Sequence, residues 1–107
     1  MYVWEVREVV AHEGNLWSVL VIEDENSLRK IKQIVISRLE IYLETQSNYL
    51  DYLIKSNAYQ PSINKGEGII YIINRAIERI GYISDIEDFH DFQVKYNTLE
   101  VEKIEVL

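Results

Sequence analysis

Apolar residues fall on alternating positions from Tyr2 to Val10, with Tyr2, Trp4, Val6 and Val10 in one set and Val3 and Val9 in the other. That two-residue period predicts a strand. His12-Glu13-Gly14-Asn15 supplies turn residues, and Leu16 to Ile22 is a second β-rich run, so the two segments are expected to form an antiparallel hairpin. Trp4 and Trp17, one on each strand, are expected on opposite faces, one towards the core and one towards a partner.

The period then changes. Glu23-Asp24-Glu25-Asn26-Ser27 places carboxylates and capping side chains where a helix begins. From Leu28 to about Lys55 there is no Gly or Pro, and Leu28, Ile31, Val35, Leu39, Tyr42, Tyr49 and Leu53 follow the three-four spacing of one buried helical face. Ile34, Ile36, Ile41 and Leu43 widen that face, and Gln46-Ser47-Asn48 weakens it, which leaves a bent helix or two helices meeting there. Asn57 to Gly68 contains the single proline and two of the four glycines and is predicted as the main loop. Ile69 to Ile80 is periodic again, with Gly81 in the position of a C-cap, and Asp85 to Phe89 has the form of a capped turn. Phe92 to Leu107 returns to β character. Phe92, Val94 and Tyr96 alternate, and the change of phase between Leu99/Val101 and Ile104/Val106 predicts a bulge near Lys103.

The predicted order is ββααβ(β): one α+β domain over residues 1–107, in which two main helices pack on a small antiparallel sheet made of the N-terminal hairpin and a C-terminal strand or hairpin. No internal repeat interrupts it. Cysteine is absent, which excludes disulfides and thiol chemistry and fits a reducing cytoplasm. The first residues lack the basic start and apolar stretch of a secretion signal, and no apolar run approaches the ~20 residues that span a bilayer. A net charge of −7 repels phosphate and anionic lipid, so neither nucleic acid nor a membrane is the expected partner, and a basic protein is. Isoleucine at 16 of 107 positions, with scarce Ala, Gly and Pro, reads as AT-rich coding of a low-GC bacterium or its mobile elements.

Candidate chemistry changes this picture little. Asp85-Ile86-Glu87-Asp88-Phe89-His90-Asp91 has metal-ligand residue types but neither a calcium-loop order nor an H-E-x-x-H spacing, and is read as a capping and solvated segment. His12 and His90 are the two imidazoles, one at a turn and one beside acids, and both are expected to be exposed. Lys65-Gly66-Glu67-Gly68 is not a phosphate-binding loop, and Arg29, Lys30, Lys32 and Arg38 are read as the solvated side of a helix. No catalytic residue, metal site or cofactor is predicted.

Binding is the expected business of the chain. Tyr42 and Tyr49 share one helical face and Tyr52 and Tyr59 another, so one pair is expected to be buried and the other presented. Glu23 to Glu25, Asp85 to Asp91, and Glu100, Glu102 and Glu105 form three acidic groups that would mimic a nucleic-acid backbone if two of them met in the fold. Glu100 and Glu102 also serve to guard an edge strand against pairing. The sequence is therefore read as a non-catalytic acidic interaction module that blocks a basic nucleic-acid-binding or nuclease partner. Its predicted contact residues are Trp17, Tyr52, Tyr59, Asp85, Glu87, Asp88, Asp91, Glu100 and Glu102. In size, acidity and codon use it is similar to small phage-encoded anti-defence inhibitors such as anti-CRISPR proteins, a similarity of composition that covers no aligned residues. The alternatives are a domain that sequesters or senses a small ligand and a regulatory homo-oligomer, such as a homodimer.

Overall fold

In the computed structural model, which describes residues 1–106, the elements run β1 (Tyr2–Val10), β2 (Gly14–Ile22), α1 (Ser27–Lys55), α2 (Gln60–Tyr82), a 3-10 turn (Ile86–Asp88), β3 (Phe92–Val94) and β4 (Asn97–Glu105). The sheet is antiparallel throughout, with strand order β2-β1-β4-β3, and both helices lie on one of its faces. The two-layer α+β arrangement expected from the pattern is present, and the C-terminal β segment is a hairpin.

β1 is central because its even-numbered side chains are apolar enough to meet the helices. Trp4 and Val6 are buried there against Val21 of β2, Ile31, Val35 and Leu39 of α1, Ile73 and Ile80 of α2, and Leu99 of β4. Ile31, Val35, Leu39, Ile73 and Ile80 are fully buried, each worth about 2–3 kcal/mol of transfer free energy at this degree of burial. The α1 stripe stops being buried after Leu39 and resumes at Leu53; the second half of α1 faces α2 and the β3–β4 turn, where Lys95 lies over Tyr49.

Five expectations are corrected. α1 is one continuous helix, because Gln46, Ser47 and Asn48 carry no Gly or Pro to break it. The predicted loop at 57–68 shrinks to a few residues: α2 starts at Gln60, with Pro61 in the first turn, where its missing N–H costs nothing. Gly66 lies inside α2, where a Cβ would come within 3.2 Å of Leu50 Cδ1, so the glycine serves the close approach of α1 and not a loop. Gly81 is likewise helical, and α2 ends at Tyr82 with Ile83 extended. β1 and β4 pair in unbroken register, with Ile104 beside Val3 on the face away from the helices. The bulge falls instead between β1 and β2, where Glu8 opposes Trp17, Val9 opposes Asn15 and Leu16 is the extra residue. That register puts Trp4 (opposite Val21) and Trp17 (opposite Glu8) on the same, helix-facing side.

Candidate functional site

Four polar or unpaired places distinguish this molecule, and the most buried is Glu8. It falls in phase with Trp4 and Val6, so the strand carries its carboxylate under α1, with no exposed surface. Oε1 accepts from Trp17 Nε1 at 2.6 Å and from Arg38 Nε at 2.7 Å, and Oε2 accepts from Asn97 Nδ2 at 2.5 Å and from the Tyr42 hydroxyl. Burial alone pushes this carboxyl up. The hydrogen bonds from Tyr42, Asn97, Arg38 and Trp17 together outweigh it and hold Glu8 below its ordinary range, ionised at neutral pH. Burial, and next the bond to Glu8, push the Tyr42 hydroxyl up to about 12. For Arg38, desolvation works against the charge, but the bond to Glu8 wins and raises it; its guanidinium also lies over the rings of Trp17 and Tyr42. The four donors consume the carboxylate's lone pairs, so Glu8 is a tie between β1, β2, α1 and β4 and has no acceptor left for a substrate. Trp17 spends its indole N–H here and is only partly exposed, whereas the buried Trp4 Nε1 has no partner among the described residues.

On the opposite face of the sheet the odd-numbered residues of β1 form a second cluster. Arg7 donates to Glu5, Glu100 and Glu102, with Nη1 to Glu102 Oε2 at 2.7 Å. The bond to Glu102, then those to Glu5 and Glu100, raise the guanidinium well above its ordinary value. Glu100 and Glu102, predicted as partner contacts, are therefore already engaged by an arginine, though Glu102 keeps 56% of its side chain exposed.

A third cluster sits where β1 begins and β4 ends. Lys103 Nζ pairs with Glu23 at 3.3 Å and with Glu87 at 3.8 Å, and lies over Tyr2. Two acidic segments more than sixty residues apart in the chain are thus brought to one lysine, while Glu100 and Glu102 belong to a different face. Asp85 caps the 3-10 turn by accepting from the Glu87 N–H, and Asp88 and Asp91 are exposed. Tyr49, Tyr52 and Tyr59 are all exposed, Tyr49 and Tyr52 stacked on each other, so Tyr49 does not share the burial of Tyr42. His12 is exposed at the β1–β2 turn and His90 between the 3-10 turn and β3. Among the described residues no three His, Asp or Glu side chains gather closely enough to hold a metal ion.

The fourth place is an absence of pairing. β3 covers β4 only at Asn97 to Leu99, so the outer edge of β4 from Glu100 onward is free, and it carries Glu100, Glu102, Lys103 and Glu105. Beyond it the outer edge of β3 is free over three residues only, and the long free edge is β2, whose nine residues, Gly-Asn-Leu-Trp-Ser-Val-Leu-Val-Ile, contain no charge and no proline. Leu16, Val19, Leu20 and Ile22 stand 41–63% exposed along it. Between β2 and α1 two adjoining hollows share Val19, Gln33 and Ile34, and extend to Trp17, Arg38 and Ile41 at one end. Sequence reasoning singled out Trp17 from this strand, two tyrosines and six acidic residues, and did not use the lack of any charge from Gly14 to Ile22.

Among the described residues no helix is long and apolar enough to cross a membrane. Comparison with protein-family models, with curated proteins and with solved structures found no match.

Proposed function

We propose that the chain is a non-catalytic interaction protein that works as a dimer of two copies, joined by antiparallel pairing of their β2 strands into one continuous sheet. The observation that carries this reading is the contrast between the two longer free edges, the outer edge of β3 being only three residues long. The β4 edge bears the charges that keep strands apart, and β2 bears none. An uncharged strand laid antiparallel on its own copy meets no like charge, which matters in a chain of net charge −7. A stable dimer buries on the order of 1,200 Å² or more in total, beyond what two strands alone cover. The exposed Ile41 of α1, beside Val19 of the strand, extends the contact, bringing α1 of one copy against α1 of the other. The buried Glu8 network holds β2 and α1 in fixed relation, so the paired surface is formed in advance. Cytoplasmic placement belongs to the same proposal, supported by the lack of cysteine.

Analytical ultracentrifugation across the micromolar range tests it. The wild-type chain should sediment as a dimer, and Leu20→Lys or Ile41→Lys as a monomer with an unchanged circular dichroism spectrum. A wild-type monomer throughout, or a Leu20→Lys dimer, would overturn the proposal.

A second reading, the acidic inhibitor that occupies the basic surface of a nucleic-acid-binding or nuclease partner, is favoured by the meeting of Glu23 and Glu87 at Lys103, with Asp24, Glu25, Asp85 and Asp88 close by in sequence. Its partner should release at high salt, and charge reversal at Asp85, Glu87 and Asp88 should weaken capture. Retention that ignores both changes would remove it.

A further inference from the structure

A cleft of about 570 Å³ opens between the second half of α1, the first turns of α2 and the β3–β4 turn. None of its lining belongs to β2, so it is separate from the β2 edge. Its size is in the ordinary range for small-molecule sites. Its charge is not ordinary for this chain: Lys65 and Lys95 line it, no carboxylate does, and among the described residues neither lysine has an ion-pair partner. In a protein with 18 acids and 11 bases, two unpaired cations facing one acid-free cleft are against the grain of the composition. The apolar part of the lining is Tyr49, Leu53, Ile69 and Tyr96.

Three further observations narrow what fits. Lys95, held at the turn with a φ of 54°, places Nζ 5.5 Å from the centre of the Tyr49 ring, so a cation and an aromatic face stand side by side. Gln46 lines the same cleft, and among the described residues its buried Oε1 has no hydrogen-bond partner, an acceptor that a side-chain rotation would present to an N–H or O–H group. Ser62 and Lys65 lie in the first two turns of α2, the positive end of a helix of 23 residues.

We infer that this cleft binds a small organic anion of the nucleoside monophosphate class. Lys65, Lys95 and the Ser62 hydroxyl hold the phosphate, the base packs on Tyr49 or Tyr96, and a ring amino group donates to Gln46 Oε1. The lysines are exposed and supply charge that a phosphate needs. The apolar walls and the unpartnered amide oxygen distinguish a base-bearing anion from phosphate alone.

Isothermal titration with adenosine monophosphate, adenosine and inorganic phosphate tests this, at low salt, on the full chain. Adenosine monophosphate should bind, and both fragments should bind at least about tenfold more weakly, since each lacks one half of the contacts. Lys65→Gln and Lys95→Gln should each weaken the nucleotide by about tenfold, while the distant Lys30→Gln leaves it unchanged. Gln46→Leu should lower affinity for the nucleotide without changing that for phosphate. These lysine changes lie on the surface and keep the fold, which circular dichroism would verify. The inference is overturned by no heat with the nucleotide at millimolar concentration. It is equally overturned by phosphate or adenosine binding as tightly as the nucleotide, or by binding indifferent to both lysine changes.

Discussion

Replacing Glu8 by Gln removes one charge and exchanges one acceptor oxygen for a donor, at a site where four donors converge. If the amide oxygen stays with Trp17 and Arg38, the new NH2 group faces Tyr42 and Asn97. Tyr42 can turn its hydroxyl to accept, and Asn97 can rotate its amide. The neutral partners therefore adapt, and the loss concentrates on Arg38, whose charge loses its counter-ion. Breaking a fully buried pair from one side costs about 3–5 kcal/mol. Arg38 keeps 27% of its side chain exposed and recovers some hydration, so about 2–3 kcal/mol is expected for Glu8→Gln. Glu8→Ala leaves every donor without a partner and should cost more. Urea unfolding followed by tryptophan fluorescence at fixed protein concentration measures it, and the midpoint should fall by about 2 M for a slope of about 1–1.5 kcal/mol/M. The same variant carries a sign test. Glu8 is held below its unfolded value of 4.5, so its contribution is present above that pH and lost as the pH falls through the folded value. Glu8→Gln should flatten that acid limb. A cost under about 0.5 kcal/mol with the acid limb intact would mean that Glu8 is not the ionised tie between sheet and helix.

On the alkaline side, Tyr42 is raised from 10.0 to about 12, so its contribution is whole below pH 10 and lost as the pH climbs towards 12. In a pH series of thermal melts, Tyr42→Phe should lack that decline. Arg7→Gln leaves Glu5, Glu100 and Glu102 together on one sheet face and should cost about 1–2 kcal/mol at low ionic strength, with part of the loss restored by salt in chemical denaturation. Gly68 is helical and a Cβ there meets nothing within 4 Å, so Gly68→Ala should stabilise by about 0.5–1 kcal/mol and raise the melting temperature. Gly14→Ala should instead destabilise by about 1 kcal/mol or more, because Gly14 holds φ at 85°.

The strands and helices were legible where periodicity is strong: the Tyr2–Val10 alternation, the Leu28–Leu39 stripe and the Ile69–Ile80 stripe all became the elements they predict. Glycine misled, because its turn-forming tendency and its use as a close-approach residue look alike in a sequence; the contact of Gly66 with Leu50 depends on where α1 passes. Proline misled at position 61 because it ends helices and also begins them. Glu8 was the informative exception. It breaks an otherwise apolar phase, a signal that the residue is buried with partners, but Arg38, Tyr42 and Asn97 come from two other elements and no local pattern joins them to it. The opposite happened at Glu100 and Glu102, where charge suggested availability and cross-strand pairing with β1 supplied Arg7. The cleft of Lys65 and Lys95 was invisible for the same reason: one lysine belongs to α2 and the other to a turn thirty residues later.

The sheet consists of two sequence-local hairpins, β1–β2 and β3–β4, and the seam between them is the pairing of β1 with β4. Each hairpin closes over a few residues, whereas the seam cannot close until both helices have been made and folded back. Loop closure over that distance is entropically expensive, so the β1–β4 registration should be the late and rate-setting event in folding. Until it occurs, β1 has one bare edge and the uncharged β2 the other, and the hairpin is a short-lived ribbon with unpaired backbone on both sides during synthesis. In a crowded cell the seam thus sets a race between a chain's own β4 and the edges of its neighbours. Slower translation through the helices would lengthen that exposure, and aggregation yield on slowed synthesis would measure it.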